Sequence, residues 1–224
     1  LQVGNNNVHH NSIKNNEGNG VVISSGTDDN VVKYNNITGN ENYGIYIDST
    51  SSVDARYNWW GDASGPGGAG PGSGDSINNA TLVDYSPWFG KTVASSPMTF
   101  YTDDAIQEVI NYATAGDTIR VIAGTYEEDI DIGKTLTLIG NGTSSSIIEG
   151  TGGGDDVIDL TGNGVYFSGF RVLASEDGYG IYLSGKGMTS TGGASLDGYS
   201  LTDIRVDMMI IAVEGEVHLA GGSK

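Results

Sequence analysis

Along the first quarter of the chain, apolar residues come in short bursts that alternate with polar ones: Ile13, then Val21 and Ile23, and later Ile37, then Ile45 and Ile47. A period of two predicts short strands that turn one face inward. The bursts themselves recur. Moving the window 8–25 forward by 24 positions superposes Val8 on Val32, Asn11 on Asn35, Ile13 on Ile37, Asn16 on Asn40, Glu17 on Glu41, Gly20 on Gly44, Ile23 on Ile47 and Ser25 on Ser49. A third, partial copy begins at Tyr57-Asn58, one residue short of that spacing. A unit this small, with two or three short strands, cannot bury its inner face alone, so the copies must stack. Stacking predicts Ile13 over Ile37 and Ile23 over Ile47. It also predicts a column of Asn11, Asn35 and Asn58 at a turn, where asparagine tolerates left-handed backbone and its amide can bond its neighbour in the next copy.

The second half follows the same logic less regularly. Residues 164–172 return as 198–206, which matches Arg171 with Arg205 and leaves a Gly/Ser-rich loop around 185–195. Residues 136–140, 147–148, 157–160 and 180–183 read as further short strands. Two stretches interrupt the pattern. Residues 61–74, nearly all Gly, Pro, Ala and Ser, read as a long loop. Residues 103–115 carry Ala105, Ile106, Val109, Ile110 and Ala113 on one helical stripe, with Thr102 or Asp103 as N-cap and Gly116 as terminator. The fold class this predicts is all-β, a parallel β-helix solenoid with one short capping α-helix.

Two segments carry a family resemblance. Asp104-Ala105-Ile106-Gln107, Ala115-Gly116-Asp117-Thr118-Ile119-Arg120-Val121, Ala123-Gly124-Thr125-Tyr126 and Lys134-Thr135-Leu136-Thr137-Leu138-Ile139-Gly140 resemble the opening of a right-handed β-helix of the pectate-lyase-like superfamily. The resemblance implies a helix over the first coil, which shields an edge otherwise free to pair. Tyr57-Asn58-Trp59-Trp60-Gly61-Asp62 and Val83-Asp84-Tyr85-Ser86-Pro87-Trp88-Phe89 are similar to the closing segment of β-helices in archaeal and bacterial surface proteins. Trp59, Trp60, Trp88 and Phe89 are then the bulky residues of a closing cap. An end therefore precedes a beginning: residues 1–90 read as final coils and cap of one β-helix, 91–100 as a linker, and 101–224 as the capping helix and first coils of a second. The open ends of such a chain call for a partner, either neighbouring β-helix modules in a tandem array or copies of itself in a head-to-tail filament.

Composition narrows the function. Acidic residues outnumber basic ones 28 to 10, a formal charge of −18, which repels nucleic acid. There is no cysteine and no apolar run long enough to span a membrane. The first residue is Leu1, which reads as a processed form or an excerpt of something longer. Sequons at Asn36, Asn79 and Asn141 point weakly to glycosylation and an extracellular or cell-surface address.

The leading function is thus an extracellular structural module of a surface layer, stalk, adhesin or filament. The rival is a polysaccharide-binding or polysaccharide-cleaving β-helix, in which Tyr43, Tyr46, Tyr179 and Tyr182 would stack on sugars. Glycans are accordingly a candidate partner. No catalytic residues are assigned. Lyases of the resembled superfamily imply calcium and a base near a uronate, and Glu127, Glu128 and Asp129 are the candidate calcium ligands. The only arginines are Arg56, Arg120, Arg171 and Arg205. Paired carboxylates such as Asp155-Asp156 read as a turn. His9-His10, aligned with Lys33-Tyr34, reads as surface and turn, and His218 stands alone.

Overall fold

The computed structural model describes residues 6–24, 29–48, 50–93, 95–152, 156–173, 180–184, 189–190, 195–196 and 204–206. The chain divides into two compact units, Leu1–Tyr101 and Thr102–Lys224.

In the first unit the strands β1 (Asn7–His9), β2 (Ser12–Lys14) and β3 (Val21–Ser24) form one coil, and β4 (Asn30–Lys33), β5 (Asn36–Thr38) and β6 (Ile45–Asp48) form the next. Each strand pairs in parallel with its counterpart one coil on, with Val8 against Val32, Ile13 against Ile37 and Ile23 against Ile47. The predicted aliphatic columns are therefore present. Val32, Ile37 and Ile45 are sealed, at 1%, 0% and 0% exposure, while Val22, on the outer face between Val21 and Ile23, is 51% exposed.

The asparagine column is present too, with one difference. The left-handed turn residues are His10, Tyr34 and Tyr57 (φ 56°, 59° and 58°), each just ahead of a column asparagine. That leaves Asn35 and Asn58 free to turn inward, fully buried. Asn35 Nδ2 donates to the carbonyls of Val8 and Lys33, and its Oδ1 accepts from the Asn11 amide.

The glycine-rich stretch is not an open loop. It contains β8 (Pro66–Gly68), which pairs with β9 (Gly74–Ile77), and β9 extends the sheet of β3 and β6. Backbone runs against backbone here: a Cβ on Gly72 would sit 2.4 Å from the carbonyl oxygens of Ser64 and Gly65. Glycine is thus a packing requirement, where composition alone suggested only slack. Between and after these, β7 (Val53–Asp54) and β10 (Val83–Asp84) extend the sheet of β1 and β4. The expected linker 91–100 also contributes structure, because β12 (Thr99–Thr102) pairs antiparallel with β11 (Trp88–Phe89) and Phe100 is buried.

The second unit opens with α1 (Ile106–Tyr112), shorter than the predicted 103–115. Ile106, Val109, Ile110 and Ala113 are buried as expected, whereas Ala105 is the exposed N-cap. Neither Thr102 nor Asp103 caps the helix. The Glu128 carboxylate accepts from the amides of Ile106 and Gln107 at 2.8 and 2.9 Å, and Lys134 Nζ donates to the carbonyls of Asn111 and Ala113 at 3.2 and 2.6 Å. An anion at the N-terminus and a cation at the C-terminus also complement the helix dipole.

Three parallel sheets follow. They comprise β13 (Thr118–Val121), β16 (Thr137–Ile139), β19 (Tyr166–Ser168) and β22 (Thr189–Ser190); β14 (Gly124–Glu127), β17 (Ser146–Glu149), β20 (Arg171–Leu173) and β23 (Ser195–Leu196); and β15 (Ile130–Ile132), β18 (Ile158–Leu160), β21 (Ile181–Leu183) and β24 (Ile204–Val206). Ile119, Leu138 and Phe167 stack in one column, and Ile130, Ile158 and Ile181 in another.

Two sequence expectations fail here. The region 185–195 supplies β22 and the start of β23. Arg171 lies opposite Ser195, and Arg205 opposite Tyr182 in a different sheet, so the repeat that matched Arg171 with Arg205 does not stack one over the other. The match of 164–172 to 198–206 reflected a shared strand pattern, whereas hydrogen bonding sets the register.

Replacing Ile37 by Ala should lower unfolding free energy by about 2–4 kcal/mol in urea titrations, since the site is sealed by neighbouring coils. Val22→Ala, on the outer face, should change it by less than about 0.5 kcal/mol.

Candidate functional site

The first unit has two unlike ends. At one end Trp60, Trp88, Phe89 and Phe100 are buried, and Trp59 is half-buried in an isolated bridge to Asn36. Trp88 stacks on Tyr101 at 5.9 Å and Phe89 packs on Phe100 at 5.5 Å between ring centroids. Tyr57 meets Phe89 and Phe100 edge-on or tilted, and the Trp88 indole N–H donates to the Ala63 carbonyl. Aromatic area is buried at this end, with the Trp88 N–H bonded and the Trp60 Nε1 buried without a hydrogen-bond partner among the described residues.

The other end is the coil of β1, β2 and β3, each of which stands at the edge of its sheet. Val8, Ile13 and Val21 are only half-buried there, although their partners Val32, Ile37 and Ile45 are sealed. The second unit treats its first coil differently. There α1 packs on β13 and β15, and the Gln107 side chain accepts from the Asp131 amide of the edge strand.

Asparagine ladders join the coils of the first unit. Asn6 donates to Asn30 Oδ1, Asn11 to Asn35 Oδ1 and Asn16 to Asn40 Oδ1, each from both its backbone and its side-chain nitrogen. Asn35 continues to Asn58, and Asn40 ends on the Asp75 carboxylate, which also accepts from the Gly39 amide. The 16–40 step was visible as an identity in the repeat. Asp75 was not, because the glycine-rich insertion breaks the spacing.

On the outer face of the β4–β7–β10 sheet, Asp54 binds Lys33 at 2.5 Å and Arg56 at 3.0 Å, and Arg56 reaches Asp84 at 3.4 Å. Burial alone would raise the Asp54 pKa, but hydrogen bonds from Arg56 and Lys33 and their charges outweigh it and hold the carboxyl below its usual range.

The expected glycan-stacking residues divide. Tyr43 and Tyr46 lie side by side, half-exposed, with ring centroids 5.4 Å apart. Tyr182 is half-exposed in the second unit, and Tyr179 lies outside the described residues. Of the expected calcium ligands, Glu127 is exposed on β14, Glu128 caps α1, and Asp129 is bonded to the Thr151 amide and hydroxyl. Among the described residues no three His, Cys, Asp or Glu side chains gather as a metal site.

Asn141 is exposed at a turn beside Gly142. Asn36 accepts from the Val93 amide, and Asn79 accepts from the amides of Thr81 and Leu82. His9 lies opposite Lys33 with its Nδ1 2.9 Å from that of His10, whose ring stacks on Tyr34 at 5.3 Å. Asp155 and His218 lie outside the described residues. No helix among the described residues is long and apolar enough to cross a membrane.

Set beside known proteins, residues 1–82 match a family described as "right handed beta helix region". No curated protein and no solved structure matches the chain.

Two substitutions probe this framework. Because the folded-state pKa of Asp54 is lowered from 3.8, its contribution is full above that value and is lost as pH falls through the lower one. Wild type should therefore exceed Asp54→Asn by up to about 1 kcal/mol near neutrality, a gap that closes below pH 3.8 in urea titrations at each pH. Glu128→Ala should cost about 1–2 kcal/mol by removing the α1 cap, with the same loss in EDTA and in calcium.

Proposed function

Because this chain is a right-handed parallel β-helix protein, we propose that it is an extracellular structural module that builds a surface layer, stalk, adhesin or filament by stacking coils end to end. The observation that carries the reading is the coil-on-coil stack itself. Each inward aliphatic is sealed by the coil that lies against it, as Val32, Ile37 and Ile45 are, and each strand finds its parallel partner one coil on. Burial and strand pairing both come from the neighbouring coil, so such a fold grows by adding coils. The charge of −18 suits such a module, since it discourages unspecific association and leaves contact to the faces where coils meet. Stacking of this kind needs no cofactor.

The second reading is glycan binding through Tyr43 and Tyr46, whose adjacent half-exposed rings make a short aromatic platform. Light scattering over a concentration series, with electron microscopy of the same samples, tests the first. Mass that grows with concentration and fibres or sheets on the grid are expected. A monomer at every concentration, together with uronate-polymer cleavage or Tyr46-dependent glycan binding, would replace it with the second.

A further inference from the structure

An asparagine followed by glycine is the peptide step that loses its side-chain amide most readily, because glycine has no side chain to keep its nitrogen away from the asparagine carboxamide. The chain holds three such steps: Asn19-Gly20, Asn141-Gly142 and Asn163-Gly164. The glycine nitrogen gives up its proton to water or hydroxide and attacks Cγ of the asparagine. The N–Cγ bond forms, the Cγ–Nδ2 bond breaks and ammonia leaves, which makes a five-membered succinimide. Water then opens that ring at either carbonyl, giving Asp or isoaspartate. The reaction thus needs a glycine N–H that can shed its proton and turn toward Cγ, and a hydrogen bond from that N–H to a carbonyl opposes both.

The three steps differ in this respect. Gly20 N–H donates to the Tyr43 carbonyl at 2.8 Å, and Gly142 N–H to the Gly169 carbonyl at 3.1 Å, each one coil on. Gly164 N–H reaches no acceptor among the described residues. Asn163 and Gly164 are both exposed, in a turn where Gly164 takes a left-handed φ of 65°. A Cβ on Gly164 would meet nothing nearer than the Thr135 methyl at 3.5 Å, so the space around the attacking nitrogen is open.

We infer that Asn163 is a modification site, at which the folded protein slowly converts an amide to Asp or isoaspartate without an enzyme, while the next coil protects Asn19 and Asn141. Neither association between molecules nor glycan binding enters into it.

The change reaches the fold. The Asn163 carbonyl accepts from the Thr135 hydroxyl at 2.7 Å, which ties this turn to the coil before it. In isoaspartate the main chain runs through the former side chain, so that carbonyl becomes part of a free carboxylate set off the chain. Thr135 loses its acceptor on the main chain, and the main chain gains a methylene. Beside it Gly162 fits so tightly that a Cβ there would lie 2.5 Å from the Lys134 nitrogen, which leaves little slack for the added length. Isoaspartate at 163 therefore weakens the junction between the coils of β16 and β19.

The test incubates the full chain at mildly alkaline pH in heavy-oxygen water, once folded and once in urea. Peptide mapping by mass spectrometry then locates the solvent oxygen, and an isoaspartyl methyltransferase assay reads the isoaspartate fraction. Folded protein should take up label at Asn163 and not at Asn19 or Asn141, over a period in which the unfolded sample labels all three. Aged wild type should also unfold at lower urea than fresh protein. Asn163→Gln keeps the amide but would need a six-membered ring, so it should stay unlabelled there and hold its midpoint on ageing.

Folded protein that labels Asn19 or Asn141 as fast as Asn163, or that leaves Asn163 intact while the unfolded chain reacts there, overturns the inference. Equal midpoints for labelled and fresh wild type overturn the weakened junction.

Discussion

Inward-facing aliphatic side chains in a β-helix are dried only by the coil before and the coil after, and everything else in this molecule answers to that constraint. Ile37 is sealed because Ile13 lies on one side and the closing segment on the other. Within a three-strand coil there is no second layer to cover an inner face, so burial is a property of the stack and never of one coil. Hydrogen bonding obeys the same rule, since each parallel strand finds its partners in the neighbouring coil.

It follows that the ends matter more than the middle. The molecule uses two solutions in the described residues. Aromatic bulk closes the later side of the first unit, with Trp60, Trp88, Phe89 and Phe100 buried. A helix closes the earlier side of the second, held by Glu128 at one terminus and Lys134 at the other. Between the coils of the first unit, asparagine columns run from Asn11 through Asn35 to Asn58 and from Asn16 through Asn40 to Asp75.

Buried asparagine gives the stack its register. An aliphatic column tolerates small slips, because one methyl packs much like another. An asparagine column does not, because a displaced amide leaves donors and acceptors unsatisfied at about 1–3 kcal/mol each. The left-handed residues at His10, Tyr34 and Tyr57 swing each following asparagine into place and line up their own rings in a stack that ends on the buried Tyr57.

What the sequence determined by itself was whatever repeats locally: the 24-residue spacing, the inward aliphatics, the Asn11–Asn35–Asn58 column, the apolar stripe of the helix and the bulky residues of the cap. These were legible because a strand's alternation and a coil's period are written in consecutive residues. Tertiary structure decided what depends on distance in the chain. Glu128 caps a helix that begins before it, Asp75 ends a ladder across an irregular insertion, and Arg171 and Arg205 fall in different sheets despite similar surroundings. Tyr43 and Tyr46 met, while Glu127, Glu128 and Asp129 went to separate tasks. No periodicity encodes such pairings, because loops of unequal length between coils shift the count, and only the closing of hydrogen bonds across the stack sets which residue lies above which.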